Sequence, residues 1–286
     1  MKIIALLPFK NEEWILPTYL SNVEPIVDEI IAIDDNSTDS SVEILKKSNK
    51  VKIYKNDEQL KSGWAEYNIR QKLLSLGREA GGTHFVCLDA DETFTTNFVK
   101  NFKKIINRLT PGQKLVLQWL ALWKSVDHYR DDNSVWSNNY KDFIIYDSPE
   151  LKHDYAFLGV GRTPGQNNEE TWVRLNPKFG AVLHYQFSHW KNFQLKQCWY
   201  RCSELIKMPG MEQAINNKYS ITLDDPHALV RKMPDEWYVN IPSPDLDNLK
   251  PSWHLNVMKN WFEEFGTEYF EKLNIWHVKE IADLRK

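Results

Sequence analysis

Short apolar runs alternate with amphipathic stretches through the first hundred residues of this chain. The apolar runs predict buried β-strands at residues 2–7, 29–33, 51–54 and 83–88. The stretches between them predict helices at residues 11–23, 40–47 and 64–80. Such alternation is typical of helical crossovers between parallel strands. The sequence therefore predicts an α/β fold with a Rossmann-like, mostly parallel sheet and helices on both faces.

The pattern changes beyond residue 100. Further strands are predicted at residues 115–123, 142–146 and 179–187. Gly, Pro and Asn are frequent in residues 147–177, which indicates long loops. An apolar stripe at helical spacing follows and predicts a buried helix face, formed by Leu195, Cys198, Trp199, Cys202, Leu205 and Ile206. We predict one domain over residues 1–210 and a mainly helical C-terminal extension over residues 211–286.

Composition narrows the class of protein. The hydrophobic fraction of 42% and the charged fraction of 26% in 286 residues are ordinary for a soluble globular chain. A formal net charge of -3, spread over mixed signs, gives no basis for nucleic-acid binding. No apolar run is long enough for a transmembrane segment, and the three cysteines form no CxxC pair. We therefore expect a cytoplasmic protein.

Two carboxylates follow the apolar run at residues 85–88, in the sequence Asp89-Ala90-Asp91. In an extended strand end, residues two apart point the same way, so both carboxylates can face one site. Carboxylate oxygens suit a hard divalent cation, whose remaining ligands are usually phosphate oxygens and water. The alternative is a turn that carries two solvated aspartates.

Polar clusters also follow the first two predicted strands. A carboxylate in the cluster that contains Asp35 could accept a hydrogen bond from the imide N–H of a uracil base, or could simply cap a helix. The strand-to-helix turn with Pro8, Phe9 and Glu12 could hold ribose or phosphate on free backbone N–H groups. Arg70, on the helix before the fourth strand, could meet the nucleotide or lie on a solvated helix face.

Taken together, these clusters resemble the family 2 glycosyltransferases. The resemblance is carried by PFKNEE at 8–13, IDDNSTD at 33–39, Arg70, and LDADE at 88–92, in that order. A further segment, VLHYQFSHW at 182–190, is similar to the HY-x-F-x-x-W element of a subset of these enzymes. The similar segment continues with Phe193, Lys196, Tyr200 and Arg201. The resemblance covers roughly residues 1–206.

What the resemblance implies is a GT-A fold and an inverting transfer from a nucleoside diphosphate sugar, with UDP as the default nucleotide. The acceptor would be a glycan or another hydroxyl compound, and the metal would be Mn²⁺ or Mg²⁺. Residues 1–100 would form the nucleotide-binding half and residues 101–210 the acceptor half. The nucleotide-binding residues would be Pro8, Phe9, Glu12, Asp35, Arg70 and Asp89. The metal-binding residues would be Asp89, Asp91 and His184.

His184 falls in the predicted strand at residues 179–187, where it would share one face with Gln186. Periodicity alone favours a buried, hydrogen-bonded histidine, whereas the resemblance favours a metal ligand. Neutral imidazole is a good ligand for manganese-like ions. His189 would begin the following helix and face solvent or the acceptor.

The general base is the least defined part of the predicted site. Similar enzymes often carry a His-Glu pair shortly before the histidine strand, where this chain has VGRTP at 160–164. The acidic candidates in the acceptor half are Asp142, in a predicted strand, and Glu169 and Glu170, in a polar loop. Strand positions hold geometry better, so Asp142 is the first choice.

Other functions fit parts of the sequence. The DADET run at 89–93 also fits the motif of haloacid-dehalogenase-like phosphatases, with Asp89 as nucleophile, but that reading leaves the other polar clusters unexplained. Twelve tryptophans would suit a non-catalytic carbohydrate-binding protein, which needs no acidic residues at three strand ends. A sugar-phosphate nucleotidyltransferase needs a Gly-rich N-terminal loop, and a dehydrogenase needs GxGxxG after the first strand. Neither motif is present.

Overall fold

The computed structural model describes residues 1–57, 66–134, 136–156, 159–166, 168–220, 228–244, 246 and 253–285. Its first eight strands are β1 (Ile3–Phe9), β2 (Glu29–Asp34), β3 (Val51–Lys55), β4 (His84–Val86), β5 (Glu92–Phe94), β6 (Lys114–Ala121), β7 (His128–Arg130) and β8 (Tyr140–Tyr146). The later strands are β9 (Tyr155–Ala156), β10 (Gly159–Val160), β11 (Trp172–Arg174), β12 (Val182–His184) and β13 (Val230–Lys232). The helices are α1 (Leu16–Val23), α2 (Ser41–Leu45), α3 (Glu66–Glu79), α4 (Thr96–Ile106), α5 (Trp190–Lys207), α6 (Glu212–Lys218), α7 (Trp253–Phe265) and α8 (Lys279–Asp283).

One nine-stranded sheet organises the molecule, in the order β3-β2-β1-β4-β8-β6-β12-β5 with β11 also paired to β6. Strands β3, β2, β1 and β4 are mutually parallel. Strand β8 runs antiparallel to both β4 and β6, and β12 lies parallel to β6 but antiparallel to β5. The predicted α/β fold with a mostly parallel sheet is confirmed.

The central strands are buried on both faces. Every residue of β1 and of β2 is buried, as expected for parallel strands covered by helices on each side. Ile3, Ala5 and Leu7 of β1 join the core that contains α1 and α4. Ile4 and Leu6 join the core formed with α3. The apolar runs at β1 and β2 are therefore continuous because both faces of these strands are buried.

Helix α1 begins at Leu16, whereas the sequence predicted a start near residue 11. Residues 10–15 form a turn in which Asn11 has a left-handed φ of 55°. A proline occupies the first turn of α1, where its missing N–H and fixed φ are tolerated. This turn, rather than a helix, leads from the end of β1 into the site.

The predicted strand at residues 179–187 was confirmed only for residues 182–184, because a 3₁₀ turn at Pro177–Phe179 precedes it. Strand β12 ends at His184, and a 3₁₀ turn at Tyr185–Phe187 follows. The Tyr185 N–H donates to the Asp91 carbonyl (2.9 Å), which turns the chain away from the sheet. The strand alternation that would have placed Gln186 on the same face as His184 therefore does not apply.

The C-terminal elements form a second, helical core. The predicted apolar stripe lies on α5 and packs against Met258, Trp261 and Phe262 of α7, so its role as a helical core is confirmed. Strand β13 returns to pair with β7. The domain boundary at residue 210 stays a prediction.

Cys87, Cys198 and Cys202 are buried free thiols. Among the described helices, none is long and apolar enough to cross a membrane.

Candidate active site

Two adjoining cavities open at the carboxyl ends of β1 and β4, where ligands bind in open parallel sheets. The smaller, of about 250 Å³, is lined by Pro8, Phe9, Arg70 and the segment 89–91 among others. The larger measures about 640 Å³. Both cavities are lined by Glu12, Asp91, Gln186, Lys196, Trp253 and His254. The shared residues make the two cavities one continuous candidate site.

Asp89 is held between two arginines. Its Oδ1 accepts from Nη2 of Arg70 at 3.0 Å, and its Oδ2 lies 2.9 Å from Nη1 of Arg162. Burial opposes ionisation of this carboxyl, but Arg162 and Arg70 outweigh burial and lower the pKa of Asp89 to about 2. Both oxygens of Asp89 are engaged by arginines, so a cation bound there would have to share them, and the metal-binding role of Asp89 stays a prediction.

A buried glutamate supports the Asp89–Arg162 pair from behind. Glu92 is fully buried, and its Oε2 lies 2.6 Å from Nη1 of Arg162 while accepting the Asp89 N–H at 2.8 Å. Its Oε1 accepts from Nε1 of Trp119 at 2.8 Å. Burial raises the pKa of Glu92 to about 7 against the opposing charge of Arg162. The Arg162 guanidinium also lies near the rings of Trp119 and Phe143, at 5.3 and 5.2 Å.

Asp91 and His184 are buried side chains that both line the smaller cavity. His184 Nε2 lies 3.5 Å from Asp91 Oδ2, and Lys196 Nζ lies 3.6 Å from the same oxygen. Burial alone would raise the pKa of Asp91, but Lys196 and His184 hold it below its usual value. Burial lowers the pKa of His184, so its imidazole is neutral near pH 7. The ring is fixed by stacking on Trp119, with centroids 4.1 Å apart.

This pair fits the protein's share of a divalent-cation site. A carboxylate oxygen and a neutral imidazole nitrogen are ligand types that Mn²⁺ accepts. Within the described residues, no group of three His, Cys, Asp or Glu side chains forms a complete metal site. Ligand phosphate oxygens and water would have to supply the remaining positions, as is common for such ions. Asp91 and His184 therefore fit the metal role better than Asp89 does.

Asp35 is buried beside the smaller cavity. Its Oδ1 accepts from Nδ2 of Asn56 at 2.6 Å, and its Oδ2 lies 3.1 Å from Nζ of Lys10. Lys10 lines the smaller cavity, whereas Asp35 is not among the described residues that line it. The base-binding role of Asp35 stays a prediction, and Lys10 links this carboxylate to the cavity.

Three consecutive N–H groups of the turn after β1 are already hydrogen-bonded within the protein. Those of Asn11, Glu12 and Glu13 donate to the side chains of Ser37, Ser41 and Asp39, at 3.0, 2.8 and 3.0 Å. These three N–H groups are therefore not free for ribose or phosphate, because the loop after β2 and the start of α2 accept them. Pro8 and Phe9 contribute by lining the smaller cavity.

Glu12 lies at the boundary of the two cavities. Its Oε2 accepts from Nε1 of Trp14 at 2.8 Å. Burial, reinforced by the charge of Asp91, raises the pKa of Glu12 to about 8. A carboxyl group whose pKa lies near neutrality and which borders both cavities has the properties of a general base.

The three predicted base candidates lie elsewhere. Asp142, on β8, is buried and lies 3.4 Å from Nζ of Lys114, with a second hydrogen bond from Thr163. Glu169 and Glu170 are exposed in a 3₁₀ turn. Neither cavity is lined by any of these three among the described residues. Their catalytic role stays a prediction that this geometry does not favour.

Several residues of the site had no assigned role in the sequence analysis. Arg162 lies in an aperiodic loop, within the VGRTP segment at 160–164 that differs from similar enzymes. Glu92 belongs to the LDADE motif and Lys196 to the segment that extends the resemblance, but the sequence does not indicate which residue either one pairs with. Trp119 lies within a predicted strand without any polar signal. Glu92 and Lys196 could have been found from their positions in the motifs that resemble the family. No sequence motif or periodicity marks Arg162 or Trp119 as residues of the site.

Comparison with solved structures gives weak overall likenesses. A mycobacterial protein shares 17% identity over 42% of this chain and 41% of its own, with a TM-score of 0.32. Glucosyl-3-phosphoglycerate synthase from Mycobacterium tuberculosis, in complex with phosphoglyceric acid, shares 20% identity over 42% of this chain and 44% of its own, with a TM-score of 0.30. The same synthase in complex with Mn²⁺ and UDP-glucose gives 20% identity, 42% and 43% coverage, and a TM-score of 0.30. The chain thus spans less than half the length of the structures it matches.

Among curated proteins, none matches the chain. The family model for glycosyl transferase family 2 matches residues 5–147, which contain most of β1, the Asp35 cluster, Arg70 and the Asp89–Asp91 pair. That match covers half of the 286 residues and ends within the loop after β8. Together with the α/β fold, it agrees with a GT-A architecture. The chain belongs to glycosyl transferase family 2.

Proposed function

We propose that this glycosyltransferase moves a sugar from a nucleoside diphosphate sugar to an acceptor hydroxyl, with inversion at the anomeric carbon. The smaller cavity takes the nucleotide diphosphate, and the larger cavity takes the acceptor. One observation carries the proposal. Three cationic side chains and two aspartates line the smaller cavity together, namely Arg70, Arg162, Lys196, Asp89 and Asp91. Of these, Lys196 and Asp91 also line the larger cavity.

The cations are placed to bind the diphosphate. Arg70 and Lys196 line the smaller cavity together with Arg162, and each is anchored to an aspartate of the 89–91 segment. Preorganised positive charges stabilise negative charge that develops on a leaving group, because they need no reorganisation during the reaction. Asp89 acts in this arrangement as the anchor that holds both arginines.

A divalent cation would be held by Asp91 and His184. Bound there, Mn²⁺ or Mg²⁺ would neutralise negative charge on the diphosphate and favour its departure. Asp91 is already ionised because Lys196 and His184 lower its pKa, and His184 is neutral. Asp91 therefore releases no proton on binding the ion, and His184 can ligate it through Nε2 in the tautomer that carries its proton on Nδ1.

Glu12 is the general base in this proposal. It borders both cavities, so its carboxylate can contact an acceptor hydroxyl in one and face the donor sugar in the other. Removal of the hydroxyl proton to Glu12 would accompany attack on the anomeric carbon from the side opposite the diphosphate. General-base assistance of this kind contributes typically about 10²–10⁴-fold to the rate.

UDP is the nucleotide we propose first, on the family resemblance and on the buried Asp35 carboxylate next to Lys10. The test is a thermal-shift screen of UDP-, GDP-, dTDP- and CMP-sugars, each with and without manganese. A nucleotide present at 100 times its dissociation constant should add about 2.7 kcal/mol of stability. A manganese-dependent shift with a UDP-sugar supports the proposal. If none of the four sugars produces a shift with manganese, the proposed function is wrong.

The phosphatase alternative finds no support in the geometry. A nucleophilic aspartate needs a carboxylate oxygen directed at its substrate. Both oxygens of Asp89 are instead ion-paired to arginines. Phosphatase activity on p-nitrophenyl phosphate, lost in Asp89→Asn, would be the result that favours this alternative.

A further inference from the structure

The larger cavity lies directly beside the proposed donor site and continues away from it. At about 640 Å³ it falls within the range of small-molecule sites. Its walls come from the turn after β1, the loop after β2, the start of α5 and the start of α7. Asp91 and Glu12 form its boundary with the smaller cavity, so a ligand there would meet the reacting end of the donor.

The charges of this cavity disfavour an anionic ligand. Its lining includes the carboxylates of Glu13, Asp39 and Asp91, and the Glu12 carboxyl, whose pKa of about 8 leaves it mostly uncharged near pH 7. Among its described lining residues, Lys196 is the one lysine or arginine, and its ammonium group is paired with Asp91 at 3.6 Å. Among the lining residues that the structure describes, a phosphate or carboxylate group would therefore meet three carboxylates and a lysine already paired with one of them, and like charges at short range repel.

The larger cavity also contains neutral polar side chains that can form hydrogen bonds with a ligand. The side-chain amides of Gln186, Asn192 and Asn256 line the cavity, and the structure shows no hydrogen bond from these amides to any residue it describes. Each amide offers both donors and an acceptor, which matches a hydroxyl group that also does both. Trp14 and Trp253 add partly exposed aromatic surface. This combination suits the polar rim and apolar faces of a sugar ring.

We propose that the larger cavity binds an uncharged carbohydrate as acceptor, with Gln186, Asn192 and Asn256 hydrogen-bonded to its hydroxyl groups. This inference rests on the proposed function, since it names the acceptor class of the same site. It excludes phosphorylated or carboxylated sugars as the preferred acceptors. The amides lie on the 3₁₀ turn after β12, on α5 and on α7, so both the α/β part and the helical part would contact the acceptor.

The test uses the full chain loaded with UDP and manganese on an array of neutral oligosaccharides printed beside phosphorylated and sialylated counterparts. We expect binding to neutral glycans at least tenfold above binding to their anionic counterparts. The double variant Asn192→Ala/Asn256→Ala should lose about tenfold in glycan affinity, the order expected for two hydrogen bonds, while UDP affinity stays unchanged. Asn107→Ala, an exposed position on neither cavity, is the matched control and should bind like wild type.

A charge-adding variant tests the selectivity directly. Asn256 is exposed on α7, so Asn256→Lys is expected to fold and to place a cation at the rim of the cavity. It should raise binding of phosphorylated glycans severalfold relative to neutral ones. The inference would be overturned if the wild-type protein preferred anionic glycans, or if the double variant bound glycans as well as wild type does. In either case UDP binding would still support the proposed function. Absence of UDP binding would instead count against the proposed function itself.

Discussion

Nη1 of Arg162 lies 2.9 Å from Oδ2 of Asp89, and this ion pair joins the loop after β10 to the end of β4. The same nitrogen lies 2.6 Å from Oε2 of the buried Glu92. One side chain thus pairs with two carboxylates that would otherwise repel each other, and of these Asp89 lines the smaller cavity. The position of Asp89 in the proposed donor site therefore depends on the loop after β10, whose sequence has no periodicity or motif that would predict this contact.

Arg162→Ala should destabilise the protein and weaken nucleotide binding together. Removing one partner of a buried ion pair leaves an uncompensated charge and costs about 3–5 kcal/mol. Arg162→Lys keeps the charge but loses the planar fork, so an intermediate effect is expected. Thermal unfolding and calorimetric UDP titration measure the two effects. Arg174→Ala removes an exposed arginine outside both cavities and serves as control. Normal UDP affinity and stability in Arg162→Ala would contradict the role given to this residue.

Asp91→Asn should remove the manganese-dependent part of UDP affinity. The substitution keeps the shape of the side chain but removes the charge that a divalent cation requires. UDP binding without manganese should change much less, because Arg70 and Arg162 are retained. Calorimetry with and without the metal separates the two contributions. Unchanged manganese dependence in Asp91→Asn would show that the metal is held elsewhere.

His184→Ala should lower manganese affinity measured in the presence of UDP. The imidazole Nε2 lies 3.5 Å from Asp91 Oδ2, where the two groups could share one ion. His189→Ala is the comparison, because His189 caps α5 by accepting the Asn192 N–H and lines only the larger cavity. Equal manganese affinity in wild type and His184→Ala would assign His184 a packing role against Trp119.

Glu12→Gln should reduce turnover by about 10²-fold or more while donor affinity changes little, as expected for loss of a general base. Asp142→Asn is the informative comparison, because it tests the assignment made from sequence. Its carboxylate is engaged by Lys114 and Thr163, so its substitution should affect stability more than turnover. If Asp142→Asn greatly lowered turnover at an unchanged melting temperature, the general base would be Asp142 on β8 and not Glu12.

Stability should fall on mild acidification because His153 is buried in its neutral form. Burial, with the charge of Arg70, lowers the pKa of His153 to about 4. Between about pH 6.5 and 4 the unfolded chain binds a proton that the folded chain does not, so the free energy of unfolding decreases as pH falls. His153→Gln should flatten this part of the profile. Its Nδ1 contacts the Gly161 carbonyl at 3.1 Å, next to Arg162, so weaker UDP binding is also expected. A pH profile identical to wild type would contradict this assignment.

Much of the first half of the fold was predictable from local pattern. Strands β1 and β2 are continuous apolar runs because both of their faces are covered, and the polar clusters mark where those strands end. Asp89 and Asp91 could be placed on the site because carboxyl ends of parallel strands share one edge. Helix α1 was placed too early because the polar turn at residues 10–15 resembles a first helical turn in composition.

What the sequence determined by itself was the alternation of strands and helices, the edge of the sheet that bears the site, and the aspartates on that edge. These features depend on burial and on spacing along a single segment, both of which leave a local periodic signal. Only the tertiary structure decided that Arg162 joins Asp89 to Glu92, that Lys114 engages Asp142, and that Glu12 borders both cavities. Those contacts join segments far apart in the chain. Their energy depends on which loop closes over which strand, and no local pattern records that choice.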